Sequence, residues 1–416
     1  MTDRNDSPWF IDGRSGATAT YADLLAVLNQ SPVRVRPLCQ PGSPRDALKE
    51  IAAAVAFGTS LTLFDSDFGE RELESLGHGN SPINHPVAVS GKGEAVTVQA
   101  LQELAAGKSP ARLGLFTSGS NGLPKLVVHP VGNLARTVKV SNRHRQDVWG
   151  FAYNPTHMAG ILVYLQALAN GCPVVDVFGL GREDVLAAIE RHGITHLSAT
   201  PSFYRLLLPV DRAMPGVRSI TLGGENADAV LLERLHPLFP AARFHNIYAS
   251  TEAGALLTSE GDAFSIGAGL EQLVVLREGR IHIHRSLLGV FAGAALEGEW
   301  YDTGDVVEVV SSEPLRFRIV ARERDWVNVG GNKVNPCEVE AILEEFPGVR
   351  KVRVSGRANS VMGYILCAEI ECSGPSPTES ALRAFAATRL QPFKIPRLIR
   401  FVDRIAHTRT GKVSRQ

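Results

Sequence analysis

Cysteine is scarce in this chain. The five cysteines, Cys39, Cys172, Cys337, Cys367 and Cys372, are scattered over 416 positions with no C-x-x-C spacing. That odd, dispersed set excludes a disulfide scaffold and a cysteine-built zinc site, and it fits a reducing compartment. Neither sign of charge is in excess: 43 Lys and Arg balance 43 Asp and Glu. A neutral chain does not hold nucleic acid or an anionic membrane by bulk electrostatics. Long apolar runs are also missing. The most apolar stretch, Gly160 to Val177, is broken by Gln166, Asn170, Gly171, Pro173 and Asp176, which excludes a membrane-spanning helix. The opening MTDRNDSPWF lacks the apolar centre of a secretory signal. No tandem repeat or low-complexity tract is found. The expectation from these absences is a cytoplasmic enzyme or binding protein with no nucleic-acid partner; they leave its oligomeric state open.

What is present is an ordinary globular composition, 44% hydrophobic and 21% charged, at a length that suits two domains. From about residue 110 strand and helix patterns alternate. RLGLFTSG reads as a strand entering a Gly/Ser loop, and VWGFAYNPTHMAG as a strand and loop. ILVYLQALANG is a helix stopped by Gly171, and REDVLAAIERHG a helix stopped by Gly193. ITHLSATP, VRSITLGG and RFHNIYAS read as further strands, with helices SFYRLLL and ADAVLLERLHPLF between them. This alternation predicts βαβ units and a layered α/β body with loops at the strand ends for ligands.

After Asp305 the character changes. A charged stretch, ARERDW, precedes the glycine pair of VGGNKVNP and a shorter α+β pattern. One helix is expected with Asn335 as N-cap, Pro336 at its first position and Glu338 at its third; a second takes Ser376, Pro377 and Glu379 in the same roles. The boundary is placed at ARERDW, giving domains 1–323 and 324–416.

Thr117-Ser118-Gly119-Ser120-Asn121-Gly122-Leu123-Pro124-Lys125 follows a predicted strand. Small residues let backbone N–H groups approach an anion, hydroxyls add donors and Lys125 adds charge. By itself the segment is either such a cradle or a surface turn. Further on stand Tyr248-Ala249-Ser250-Thr251-Glu252, Tyr301-Asp302-Thr303-Gly304-Asp305, Arg322, and Thr408-Arg409-Thr410-Gly411-Lys412. This ordered set resembles the adenylate-forming superfamily: acyl-CoA synthetases, aryl-CoA ligases, luciferases and peptide-synthetase adenylation domains. The resemblance runs from about Leu113 to Arg415.

The resemblance implies a large layered N-terminal domain and a small mobile α+β C-terminal domain. It implies attack of a carboxylate on the α-phosphate of ATP, release of pyrophosphate, and transfer of the acyl group to a thiol. The protein's work in such chemistry is alignment and charge neutralisation. By resemblance Thr117 to Gly122 and Lys125 cradle the β- and γ-phosphates. Tyr248 lies against adenine with Ala249 and Ser250 beside it. Thr251 meets the α-phosphate, and Glu252 holds Mg²⁺. Asp305 binds the ribose hydroxyls with Arg322 nearby. Lys412 bridges substrate carboxylate and phosphate. Arg324 matches the hinge about which the small domain reorients, and Gly330 and Gly331 match the segment lining the thiol tunnel.

For the acyl group, Asn154-Pro155-Thr156-His157 resembles the loop carrying a gate residue near the carboxylate, although His157 also reads as a polar loop residue. Gly223, Gly224 and Glu225 are expected to form one pocket wall. Glu225 is open to two readings: it faces a polar part of the substrate, or it caps the next helix. Asn121 replaces a common Thr, Leu126 and Ala321 replace common glycines, and Ala406 replaces a proline. Members of the family commonly run about a hundred residues longer. Because WFIDGRSGATATYADLL resembles the family's opening segment, a genuine start is expected. The acceptor is expected to be coenzyme A, with an acyl carrier protein or an amine as the alternative, and a nucleotide-binding pseudoenzyme as the reading of another class.

Overall fold

The structure, a computed structural model, describes residues 4–405 apart from 67, 69–72, 75, 79–82, 90–94, 119–123, 226, 228, 260, 262, 323–325, 330, 331, 360–362 and 391. The chain divides into two compact units. The first comprises Met1–Val274 and Ile283–Tyr301, and the second Val275–His282 and Asp302–Gln416.

The first unit is built on two large sheets, beside a small two-stranded one of Val33–Val35 and Val87–Val89. The larger has eight strands in the spatial order Gly254–Ser259, Arg243–Ser250, Ser219–Gly223, His196–Ala199, Trp149–Phe151, Val174–Asp176, Pro8–Asp12 and Thr18–Thr20. The six inner strands are mutually parallel and the two edge strands antiparallel. Parallel strands need crossovers, and helices Met158–Asn170, Arg182–His192, Pro201–Leu206 and Ala229–Leu235 supply them. The first two end where the sequence places them, at Gly171 (φ 64°) and Gly193 (φ 61°), whose left-handed backbone a side chain disfavours. The second sheet runs Val290–Phe291, Pro124–Pro130, Arg112–Ser118, Ser60–Leu63 and Leu38–Cys39.

Two of the five strands of the second sheet and one edge of the first come from the opening 110 residues, which carry less of the alternating pattern. Local chemistry still sets their helices. Tyr21–Leu28 starts with a reciprocal pair: Thr20 Oγ1 accepts from the Asp23 N–H, and Asp23 accepts from the Thr20 N–H. Pro44–Phe57 starts at Ser43, which accepts from the Asp46 N–H, and buries Ile51, Val55 and most of its alanines.

At the amino ends of the parallel strands, Asp147 is buried and anchors a charged cluster. His144 Nδ1 lies 2.8 Å from it, His196 Nε2 3.5 Å and an Arg218 nitrogen 3.4 Å. Burial and Arg218 hold His196 down at about 4 against the pull of Asp147, so that ring is neutral at pH 7.

The second unit has its own core around Val334, Val339, Leu343, Val352, Leu366 and Leu382. Val349–Asn359 and Gly363–Cys372 form a long antiparallel pair, with Leu398–Val402 parallel to the latter. Helix Pro336–Glu344 starts as expected, Asn335 Oδ1 accepting from the Cys337 N–H at 3.0 Å. The next helix, Glu379–Ala387, begins later than the Ser376 N-cap expected from sequence. Thr378 is the cap, because its hydroxyl reaches the Ala381 N–H at 3.2 Å.

Candidate active site

The strands that flank the Gly/Ser segment, Arg112–Ser118 and Pro124–Pro130, form an antiparallel pair. Thr117 stands directly opposite Lys125, and Ser118 opposite Pro124. Gly119, Ser120, Asn121 and Gly122 lie outside the described residues. The Lys125 ammonium sits 4.0 Å above the centroid of the Phe291 ring. Phe291 pairs with Val127 on the same sheet and meets Tyr301 edge-on, with centroids 5.8 Å apart. A ring contact of this kind contributes about 0.5–1 kcal/mol and orients the ammonium without cancelling its charge.

The second motif closes strand Arg243–Ser250. Tyr248 is buried there, edge-on to Phe264 at 6.5 Å, and the register shifts between Tyr248 and Ala249. Ser250 pairs with Gly254, and its hydroxyl accepts from the Ala253 N–H at 3.2 Å, so Thr251, Glu252 and Ala253 form a tight turn. Gly254 takes φ 71°, which lets the chain reverse.

Sequence reasoning missed the residues that hold this turn. His129, on the hairpin strand Pro124–Pro130, is fully buried, and its Nε2 lies 2.7 Å from the Thr251 carbonyl oxygen. The Gly289 N–H donates to the Glu252 carbonyl at 2.8 Å. Arg136 donates to the carbonyls of Ala253 at 2.6 Å and Ala255 at 3.1 Å. Asn133 joins the group, donating to the Leu287 carbonyl at 3.1 Å and lying 3.4 Å from His129 Nδ1. Burial lowers the proton affinity of His129 and of Arg136. One signal was legible: Val127 and His129 occupy inward positions of one alternating strand, and a histidine on a buried face needs a partner.

Around the expected acyl pocket the charges are engaged internally. His157 precedes helix Met158–Asn170, and its Nε2 lies 2.7 Å from Asp65 Oδ2. Asp65 is buried at the carboxyl end of strand Ser60–Leu63, and also accepts from Asn154 Nδ2 at 2.7 Å. Asp65 therefore joins the carboxyl ends of the two sheets, a role its sequence neighbours do not reveal. Glu225 accepts from the Ser202 N–H at 3.0 Å and from the Ser202 hydroxyl at 2.8 Å, at the start of the preceding helix Pro201–Leu206. Gly223 ends its strand with its carbonyl 3.5 Å from the buried Tyr153 hydroxyl, and Gly224 turns the chain at φ 84°.

In the second unit Asp305 is buried and stands opposite Arg322 across strands Trp300–Ser312 and Leu315–Arg322. The Thr303 hydroxyl donates to the Ile281 carbonyl at 2.9 Å and accepts from the Asp305 N–H at 3.1 Å. Arg324, Gly330, Gly331 and Lys412 lie outside the described residues.

Comparison with known proteins bears on these motifs. The AMP-binding enzyme family matches residues 38–274, and the AMP-binding enzyme C-terminal domain matches residues 338–412. The 2-succinylbenzoate--CoA ligase of Geobacillus kaustophilus (strain HTA426) is 26% identical over 334 residues, 73% of this chain and 67% of that protein. The oxalate--CoA ligase of Arabidopsis thaliana is 27% identical over 357 residues, 77% and 69% of the two chains. Among solved structures, ATP-bound MatB from Rhodopseudomonas palustris superposes with a TM-score of 0.78 at 18% identity, covering 99% of this chain and 95% of that one. O-succinylbenzoate CoA synthetase (MenE) from Bacillus subtilis with its acyl-adenylate OSB-AMP gives 0.73 at 21% identity, covering 99% and 94%. The two sheets and the smaller α+β unit therefore follow this fold, and by the span of the family match the chain belongs to the AMP-binding enzymes.

Proposed function

We propose that this protein is an ATP-dependent acid–thiol ligase that converts a small carboxylic acid to its acyl-AMP and transfers the acyl group to coenzyme A. In the first step a carboxylate oxygen attacks the α-phosphorus, the bond to the β-phosphate breaks, and pyrophosphate leaves. In the second a thiolate attacks the acyl carbon and AMP leaves. The observation that carries the proposal is the direct tie between the two phosphate motifs. The hairpin bearing Thr117 and Lys125 also bears His129, which holds the Thr251 carbonyl at 2.7 Å.

Within that proposal Thr117, Ser118, Gly119, Ser120, Asn121, Gly122 and Lys125 receive the β- and γ-phosphates. Thr251 meets the α-phosphate, and Tyr248, Ala249 and Ser250 flank the adenine. The donor set fits Mg²⁺: Glu252 offers a half-buried carboxylate on the turn beside the Thr251 hydroxyl, and this ion binds through one or two carboxylates plus phosphate oxygens. When bound, it would neutralise phosphate charge. Asp305 and Arg322 take the ribose, and His157, Gly223, Gly224 and Glu225 border the acyl group. Lys412 supplies positive charge to the first step. Rotation about Arg324 then brings Gly330 and Gly331 to the thiol. Support for coenzyme A as acceptor comes from relatives named as CoA ligases.

The test is acid-dependent exchange of labelled pyrophosphate into ATP over a panel that begins with 2-succinylbenzoate and oxalate, followed by thioester assay. Exchange and acyl-CoA are expected with at least one acid. Exchange without acyl-CoA, relieved by a holo carrier protein or an amine, would move the acceptor; no exchange with any acid would leave a nucleotide-binding pseudoenzyme.

A further inference from the structure

Three successive carbonyls of the Thr251–Ala253 turn are all taken by groups outside the turn: Thr251 by His129, Glu252 by the Gly289 N–H and Ala253 by Arg136. A carbonyl can only accept, so His129 must carry its proton on Nε2. The neutral ring then has a bare Nδ1, which faces the Asn133 amide N–H at 3.4 Å. Asn133 Oδ1 in turn accepts from Arg136. The chain His129–Asn133–Arg136 therefore has a direction, and each member is set by the next. The approach is close: a Cβ on Gly289 would fall 2.6 Å from His129 Nε2 and 2.7 Å from Cε1.

We infer that His129, set by Asn133 and Arg136, is a positioning residue that fixes the Thr251–Glu252 turn in register with the strand Pro124–Pro130, so that Thr251, Glu252 and Lys125 are aligned before ATP arrives. The inference rests on the ligase proposal, and it deepens that proposal by naming what aligns the α-phosphate contacts. With three carbonyls of the turn held by bonds that use neither the Thr251 nor the Glu252 side chain, the backbone need not reorganise when the nucleotide arrives. Small errors of placement at a reacting phosphate cost rate steeply.

The experiment uses the full chain with His129→Leu, His129→Gln and Gly289→Ala. Leucine has no donor for the Thr251 carbonyl, whereas glutamine offers an amide N–H of similar reach. Gly289→Ala presses on the same ring and on Val127 Cγ1 and removes no polar group. Exchange kinetics, ATP affinity by calorimetry and melting temperature are measured together. His129→Leu is expected to lower kcat/KM for ATP in the exchange reaction by about 10- to 100-fold with KM for the acid unchanged. His129→Gln is expected to return to within about fivefold of wild type, and Gly289→Ala to fall between. Exchange unchanged in His129→Leu would overturn the inference. So would a loss shared equally by the ATP and acid parameters, in step with melting temperature and unrescued by glutamine. If His129→Leu does not fold, Gly289→Ala decides by the same parameters. If the wild-type chain shows no exchange with any acid, the ligase proposal fails, and the clamp is judged by calorimetry alone: weakened ATP binding restored by glutamine supports it, and equal affinity overturns it.

Discussion

The two ends of the expected site are stabilised in opposite ways. At the nucleotide end the Thr251–Ala253 turn is held through its backbone, by His129, Gly289 and Arg136, and the side chains of Thr251 and Glu252 take no part in those three bonds. At the acyl end the side chains themselves are used. His157 is tied to Asp65, and Glu225 is tied to Ser202. A turn braced through its carbonyls keeps its chemistry available to a ligand. A pocket wall whose polar side chains are already bonded within the protein has a fixed shape, which suits recognition by fit.

The largest effect tests whether either end suffices without the tail. Lys412→Ala is expected to lower acid-dependent pyrophosphate exchange by about 10²–10³-fold, as loss of one charge-stabilising group does. Thioester formation from supplied acyl adenylate should be retained; an equal fall in both half-reactions would remove the alternation of the small domain from the account.

Next in size is Asp65→Asn. The amide puts N–H donors in place of one of the two oxygens that accept from Asn154 and His157, at a cost of about 1–3 kcal/mol. Melting temperature should drop by several degrees and KM for the acid should rise, with KM for ATP unchanged. A rise in KM for ATP instead would erase the contrast between the ends.

A smaller effect comes from pH. Burial depresses the His129 proton affinity below the ordinary 6.5; Arg136 adds to the depression, while the Thr251 carbonyl and Glu252 oppose it. The unfolded chain therefore takes up this proton first as pH falls. The stability that His129 contributes is complete above about 6.5 and is lost as pH drops from there through the folded value. Melting temperature between pH 7 and 5 should fall less steeply in His129→Gln than in wild type.

Smallest is Glu225→Gln. Its amide oxygen can still accept from Ser202, so stability should change by less than about 1 kcal/mol and exchange kinetics by less than about twofold. A large shift in acid preference would show that this carboxylate faces the substrate.

The same contrast explains what the sequence made legible. The alternating strands and helices after residue 110, the stops at Gly171 and Gly193 and the start at Asn335 are local patterns, and the structure follows them. The nucleotide motifs are contiguous and could be named from the chain. Their supports could not, because His129 lies 122 positions from Thr251, and Asp65 lies 92 from His157. Glu225 is a further case: its bond to Ser202, 23 positions earlier, is not among the two readings its sequence neighbours offer. The packing of the two sheets makes the first two pairs neighbours, and the crossover between adjacent strands the third.

The central claim, that the hairpin and the braced turn form an ATP site for acid activation, is tested most directly by labelled pyrophosphate exchange in the wild-type chain and in Glu252→Gln, with and without acid. The account predicts exchange that depends on at least one carboxylic acid and falls about 10²-fold or more in Glu252→Gln without loss of melting temperature. Tight ATP binding by the wild-type chain with no exchange for any acid, or full exchange in Glu252→Gln, would contradict it.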